Sequence, residues 1–480
     1  MKRSQLPSSA FIDPRNGNRK EIEELIRQVT SLLLPYLTDA AQRPPLPQVA
    51  LKEASIPNTA VPVNDLLDDL RPLIAGAMNS AHPGYIAHMI SIPATFSVLG
   101  DLIASALSNN MLFHELSPTF TPLELTLMKQ FAQLFGLGDE SGGVLLGSGT
   151  MANLQALAVA RNLRCDVFDR GLSATENPPV ILASEVAHAS VNKAAMILGL
   201  GTAAVIPVKT NGDSQMKPED LRAAIQKARD ERRTPFCVVA TAGTTVTGNI
   251  DPLLDIGRIA KEEGLWFHVD AAYGGALILS EKHKGRLAGI EHADSVTFNP
   301  HKWLFVSSGC AMALFRNMAA MEAAFRIPSP YSNNAGAVTN LGEITVHGSR
   351  RVEVLKLWLA LQHIGKRGYG QLVDEGCALT DYLVAKVRER PFFQLVGNPD
   401  MNILCFRGTL THDPSVAVDD WNASLQAHLL RNRNVYLSLP PYRGARWLRA
   451  VLLNPFTNEE LIDELFDDID QFAASTMRAS

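Results

Sequence analysis

The chain reads as an α/β protein with a mostly parallel central sheet flanked by helices, a helical arm before it and a small α+β part after it. Two observations carry that reading. From about residue 143, the runs "GVLLG", "VILAS", "AVIPV", "FCVVATA", "LWFHVD" and "SVTFN" are interleaved with helical patterns over 150–164, 188–199, 217–230 and 252–263. Such runs are apolar along their length, as strands covered on both faces by βαβ crossovers must be. Beyond about residue 350 the texture changes. Helical patterns over 351–366 and 370–388 precede the short strands "FQLV", "NILCF" and "WLRAVLL", with a last helix from 457.

At the start, "KEIEELIRQVTSLLLPYLT" carries Ile22, Leu25, Ile26, Val29, Leu32 and Leu33 at helical spacing. The proline-rich "AAQRPPLPQVALKEASIPNTAVPV" that follows cannot hold regular structure for long. An amphipathic helix tied on in this way is expected to bury its stripe on a partner subunit. The predicted division is therefore a dimerisation arm over 1–82, a large domain over 83–350 and a small domain over 351–480.

Bulk composition narrows the function classes. With 480 residues, 46% hydrophobic and 19% charged, the chain suits a soluble protein of more than one domain. A formal net charge of -5 gives no reason to expect nucleic acid or an anionic membrane surface as a partner. Cys165, Cys237, Cys310, Cys377 and Cys405 stand far apart with no C-x-x-C pair. That predicts no metal site, no disulfide framework and a reducing compartment. The basic start lacks an apolar h-region, so no secretory signal is read there. "AAMILGLGTAAVIPV" is broken by glycine and proline and too short to span a bilayer. A cytoplasmic protein is the expectation.

The chemistry gathers around "DSVTFNPHKWLF", where Lys302 leaves an apolar strand between His301 and Trp303. A lysine there is ordinarily a solvated loop residue, because lysine is seldom buried alone. A desolvated lysine is also how enzymes obtain an amine able to form a Schiff base. In open α/β sheets ligands sit beyond the carboxyl ends of the strands, so polar residues at those ends belong together. Ser148, Gly149 and Thr150 open a helix whose free N–H groups suit an anion. Asp270 and Ala272 follow "LWFHV"; Asn299, His301 and Lys302 follow "SVTF". Gly243, Thr244 and Thr245 follow "CVVATA", and His188 opens the helix after "VILASE". A phosphorylated pyridine aldehyde would use them all: a phosphate cradle, Asp270 for the ring nitrogen, Lys302 for the aldehyde, His188 over one ring face and small Ala272 under the other.

"HVDAAYGG" followed by "NPHKW" resembles the group II pyridoxal-phosphate decarboxylases of fold type I, which act on aromatic amino acids, glutamate, histidine or diaminobutyrate. "AHPGYIAHM", "GSGTMANLQAL", "SEVAHASVNKA", "TAGTTVTGNID" and "GSRRVEVLKLW" are similar to further family segments. The resemblance implies pyridoxal 5'-phosphate as cofactor and α-decarboxylation of an L-amino acid in a homodimer with shared active sites. It makes Lys302, Asp270 and His188 catalytic and adds Gly348 and Ser349 to the cofactor contacts. Arg449, in "ARWLRAVLL", then corresponds to an arginine that grips the substrate α-carboxylate, and His88 to a wall of the substrate pocket. A polar residue at 88 hints at a polar, diaminobutyrate-like or acidic side chain.

The resemblance departs at the loop before "HGSRR". Aligning the arginines places Leu341 where the family's proton-donating tyrosine stands, and leucine cannot donate a proton. Tyr331, in "PSPYSNNAG", and His188 are then the candidate donors. A longer-lived carbanionic state would open two other outcomes, an aldehyde synthase or a decarboxylation-dependent transaminase. A separate alternative starts from "GSGTMA", which fits the dinucleotide fingerprint of a dehydrogenase. That reading needs an acidic residue about twenty positions on, and the next strand ends only at Glu185.

Overall fold

The structure is a computed structural model that describes residues 6–48, 53–330, 339–409 and 417–478. The chain begins with two outlying helices, α1 (Arg19–Thr38) and α2 (Val63–Ala75), followed by α3 (Thr95–Leu107) and α4 (Phe120–Leu134). Then comes a βα alternation: β1 (Gly142–Leu146), α5 (Gly149–Cys165), β2 (Pro179–Ser184), α6 (Ser190–Ile197), β3 (Val205–Val208), α7 (Pro218–Asp230), β4 (Thr234–Thr241), α8 (Leu253–Glu262) and β5 (Trp266–Asp270). Strands β6 (Ser295–Phe298) and β7 (Ala311–Phe315) complete one seven-stranded sheet in the order β1-β7-β6-β5-β4-β2-β3. The pairings from β6 through β3 are parallel, while β7 runs antiparallel to both β1 and β6. Strands β1, β2, β5, β6 and β7 are buried at every residue, as a sheet covered on both faces requires. Helix α5 lies against this sheet with residues 152–160 all buried, which accounts for its alanine content.

β7 was not among the predicted strands. "AMALF" lacks β-branched residues, so its local preference does not favour a strand; pairing on both edges decides it. Helices α3 and α4 lie in a stretch the sequence left unassigned; α4 packs on β1 and β7 of the sheet, and α3 packs on α10.

The last third contains α9 (Met318–Phe325), α10 (Glu353–Arg388), β8 (Phe393–Leu395), β9 (Ile403–Gly408), α11 (Val418–Arg433), β10 (Pro441–Tyr442), β11 (Ala445–Arg446), β12 (Leu448–Val451) and α12 (Glu459–Arg478). Within α10, Gly365 is non-helical at φ 73° and ψ 161°, a conformation open to glycine, and it divides the run where the sequence predicts two helices. Helix α11 was not predicted. An antiparallel sheet β12-β9-β8 and helices α11 and α12 enclose a second core around Phe406, Trp421, Leu425, Phe466 and Ile469. Residues 84–87 belong to this second core by contact. The N–H of Ile86 donates to Tyr436, that of Val451 donates to Ile86, and Ile86 is fully buried there. Among the described residues no helix is long and apolar enough to cross a membrane.

Candidate active site

The ends of β1, β4, β5 and β6 and the starts of α5 and α6 converge on a cavity of about 200 Å³. The first wall is the turn from β1 into α5. Ser148 caps the helix, its Oγ accepting the N–H of Met151 at 3.3 Å, so the first N–H groups of a 17-residue helix open onto the cavity. A Cβ on Gly149 would sit 2.6 Å from Asn299 Nδ2, so only glycine lets the loop after β6 approach this closely. Asn299 and Thr241 both line the cavity, and each carries a buried oxygen with no partner, Oδ1 and Oγ1 respectively. Buried polar atoms are seldom left unpaired, so these mark a place for a polar ligand.

The second wall is the end of β5. Asp270 is 6% exposed; its Oδ2 accepts from Asn153 Nδ2 at 2.8 Å and its Oδ1 from the N–H of Ala272 at 3.1 Å. The third wall is the turn after β6, where the Lys302 N–H donates to the Asn299 carbonyl at 3.0 Å. Among the described residues no carboxylate lies within ion-pair distance of Lys302 Nζ, whose polar neighbour is Met89 Sδ at 3.9 Å. Burial pushes this ammonium below its usual range; Asp270 opposes the shift and Arg449 adds to it. That is the condition for a nucleophilic amine.

His188 stands at the start of α6. Its Nδ1 faces Ser190 Oγ at 2.8 Å and accepts the Ser190 N–H at 3.2 Å, which leaves Nε2 to the cavity side. Burial lowers its pKa, partly opposed by Asp270, so the ring is neutral. His301 is held through Nδ1 by the backbone of Cys310, and burial pushes it down to about 4.

Lys302, Asp270, His188, Ser148, Gly149, Thr150, Ala272, Asn299 and His301 thus share one cavity, as expected from the strand-end rule. Thr244 does not. It is buried in the turn after β4, bonded to Thr247 Oγ1 at 2.7 Å, and its neighbour Thr245 lines the cavity instead. Gly348 and Ser349 are exposed and do not line this cavity. Tyr331 lies outside the described residues. Asn153, Ser190 and Thr241 also reach the cavity and were missed, although each has a positional signal. Asn153 is one helical turn beyond Thr150, Ser190 is two residues after His188, and Thr241 ends β4 beside Asp270.

Next to the cavity lies a second polar cluster. Arg449, on β12, is 6% exposed, its Nε has no partner, and no carboxylate lies within ion-pair distance among the described residues. Burial lowers its pKa. His88 Nε2 is 3.4 Å from Tyr436 Oη, and burial together with Arg449 pushes this imidazole down. The buried hydroxyl of Tyr85 is also unpartnered. His88 meets Arg449 because residues 84–87 pair with Tyr436 and Val451 rather than with the large sheet.

One expectation is corrected. Leu341 opens the short turn Leu341–Glu343 and is fully buried in the main core, where the N–H of Gly342 donates to the Leu112 carbonyl. It is therefore not on a lid over the ring, and a leucine there removes no acid from the site. Glu185, which stands too far along the chain for the dinucleotide reading, binds the N–H and Oγ1 of Thr210 at 2.9 and 2.7 Å and does not line the cavity, so that alternative gains nothing from the structure.

Fold and cavity together define a class, the fold type I pyridoxal-phosphate enzymes. Residues 45–409 match the model of the pyridoxal-dependent decarboxylase conserved domain, and the chain belongs to that family. It is 30% identical to the bovine (Bos taurus) acidic amino acid decarboxylase GADL1 over 95% of this chain and 91% of that one. It is 33% identical to the mouse (Mus musculus) cysteine sulfinic acid decarboxylase over 84% and 85%. A crystal structure of mouse CSAD in apo form superposes with TM-score 0.87 at 29% identity, covering 95% of this chain and 99% of that chain. The protein is a pyridoxal-phosphate-dependent amino acid decarboxylase.

Proposed function

We propose that the protein decarboxylates an acidic L-amino acid at its α-carbon, using the cavity beside Lys302 in a homodimer. The observation that carries this reading is the juxtaposition of a half-buried Lys302 without an ion-pair partner and a buried, uncompensated Arg449. Two unpaired cations beside one cavity are costly unless an anionic ligand completes them. Arg449 answers the α-carboxylate that every amino acid carries; the acidic side-chain class rests on polar His88 and on the acidic substrates in the names of the bovine and mouse relatives.

Pyridoxal phosphate, when bound, supplies an electron sink conjugated to the substrate's α-carbon. Ser148, Gly149 and Thr150 would hold its phosphate, and Lys302 its aldehyde. Asp270 would keep a proton on the ring nitrogen. His188 would cover one face of the ring, with Ala272 leaving room at the other, while Asn299 and His301 fix the lysine turn. Arg449 would bind the substrate carboxylate beside His88. Tyr331 and His188 remain the candidate proton donors.

The test is a panel of the twenty amino acids plus cysteine sulfinate and diaminobutyrate, measuring carbon dioxide, amine, aldehyde and peroxide. Turnover is expected with acidic substrates, with amine as the product. Arg449→Met should raise KM about 10- to 100-fold, the worth of a charge-assisted contact, with kcat changed far less. Preference for diaminobutyrate, or an unchanged KM in Arg449→Met, would refute the assignment.

The dimer rests on the arm and on Gly348 and Ser349. On α1, Ile26, Val29, Leu33, Leu34 and Leu37 are 59, 42, 38, 53 and 45% exposed, and no residue of this helix is buried. An amphipathic helix left in this state lacks its covering surface. Exposed Gly348 and Ser349 would reach the neighbouring subunit's cofactor. In this reading residues 1–82 are the dimerisation arm, 83–350 the large domain and 351–480 the small one. Deleting residues 1–60 should give insoluble or inactive protein, and an active monomer by light scattering would contradict it. We place the protein in the cytoplasm, in keeping with five free thiols.

A further inference from the structure

Behind Asp270 runs a line of side chains that no substrate atom needs to touch. Asn153 on α5 is 1% exposed, and His268 and Ser295, on β5 and β6, are fully buried. The proton positions along this line follow from one end. A carboxylate only accepts, so the Asn153 amide must turn its nitrogen to Asp270, at 2.8 Å from Oδ2. The same nitrogen serves Ser190 Oγ at 2.8 Å. Asn153 Oδ1 therefore faces His268 Nε2, at 3.0 Å, and that nitrogen must carry a proton. His268 Nδ1 is then bare and takes the hydroxyl proton of Ser295 at 2.8 Å. The serine oxygen, in turn, accepts the Trp266 Nε1–H at 2.8 Å. Burial, partly opposed by Asp270, pushes His268 down to about 4, which agrees with the single neutral tautomer this order demands.

We propose that Trp266, Ser295, His268 and Asn153 form a one-directional hydrogen-bond relay that positions the Asp270 carboxylate against the cofactor's ring nitrogen. Every N–H and O–H in the line points toward Asp270, so each bond polarises the next, and the last one fixes Oδ2. Through its second hydrogen, Asn153 also sets Ser190, whose hydroxyl proton is left for His188 Nδ1. One amide thus fixes both the aspartate and the histidine of the site. His268 and Asn153 are positioning residues, since they act through Asp270 and His188.

The inference rests on the reading of Asp270 given above, and the test separates the two. His268→Phe keeps the ring and removes both hydrogen bonds; His268→Gln restores a donor and an acceptor. In His268→Phe, kcat should fall about tenfold or more with KM within about twofold, the dissociation constant for pyridoxal phosphate should rise, and the absorption band of the bound cofactor should shift. His268→Gln should recover most of each change. In an Asp270→Asn background His268→Phe should lose most of its effect on kcat, because the relay's main target is gone and only the branch through Ser190 to His188 is left. Equal losses in the two His268 variants, or effects that multiply with Asp270→Asn, would overturn the relay as a mere packing requirement. Near-normal turnover of Asp270→Asn alone overturns the site reading and the relay with it. Should His268→Phe not fold, Trp266→Phe removes only the outermost donor. A loss of about two- to threefold in kcat, abolished in Asp270→Asn, supports the relay, and no loss overturns it.

Discussion

Lys302→Ala is expected to abolish turnover completely while the fold and the phosphate site survive. The physical reason is that nothing else in the cavity can replace the amine. Lys302 is half-buried, held by the turn at Asn299, and kept below its usual pKa by desolvation. The other cavity residues are hydroxyls, amides, neutral imidazoles and one carboxylate. Removing the side chain also removes a half-buried cation without an ion-pair partner, so the fold should lose little and can gain. Borohydride should fix no cofactor to the variant, whereas pyridoxal phosphate should still bind non-covalently at the Ser148–Thr150 turn with weakened affinity. Mass spectrometry of the borohydride-treated wild-type protein gives the decisive reading. A cofactor mapped to any lysine other than Lys302 would remove the basis for the whole site.

Much of this arrangement is legible in the sequence, for a physical reason. A parallel sheet directs its strand ends to one edge, and the order β1-β7-β6-β5 then brings the polar residues after "GVLLG", "LWFHV" and "SVTF" together. What stayed hidden depends on information that local pattern does not hold. Thr244 and Thr245 are adjacent, and only the turn stabilised by the Thr247 hydroxyl decides which of them faces the cavity. The "AMALF" strand has no β-branched residue and is made a strand by two neighbours. Residues 84–87 precede the large sheet in the chain but are held by Tyr436 and Val451, a contact across more than three hundred positions.

The loop before "HGSRR" teaches the same lesson in the other direction. Aligning arginines put Leu341 over the ring, yet an apolar residue followed by a glycine also fits a buried turn, and burial is what the structure shows. Arg350, one of those arginines, is anchored by Glu124 at 2.6 Å in a fully buried pair. That pair ties this stretch to α4, under the sheet's β1 edge. Introducing tyrosine at 341 would overpack this core at a cost of about 1–3 kcal/mol and would not create a proton donor.

Asp270→Asn is the second large effect, and it separates chemistry from binding. The carboxylate already receives the Asn153 amide and the Ala272 N–H, one on each oxygen. An asparagine can accept on its Oδ1 but must present an NH₂ group at the other position, where it meets either the Asn153 amide or the Ala272 N–H, donor against donor. In neither orientation does it carry the charge that keeps a proton on the cofactor's ring nitrogen. Lys302 can still hold the aldehyde, because its environment depends mainly on burial. Cofactor should therefore remain attached while decarboxylation slows by at least about 10³-fold, equivalent to about 4 kcal/mol of barrier. Loss of the opposing charge should also lower Lys302 and His188 further, since Asp270 raises both. Borohydride trapping that stays near wild type beside a collapsed kcat is the expected pair of results. A variant that traps cofactor normally and still turns over within a few-fold of wild type would show that the ring nitrogen's proton is not held by Asp270, and the search for its holder would pass to Thr241, whose unpartnered hydroxyl lines the same cavity.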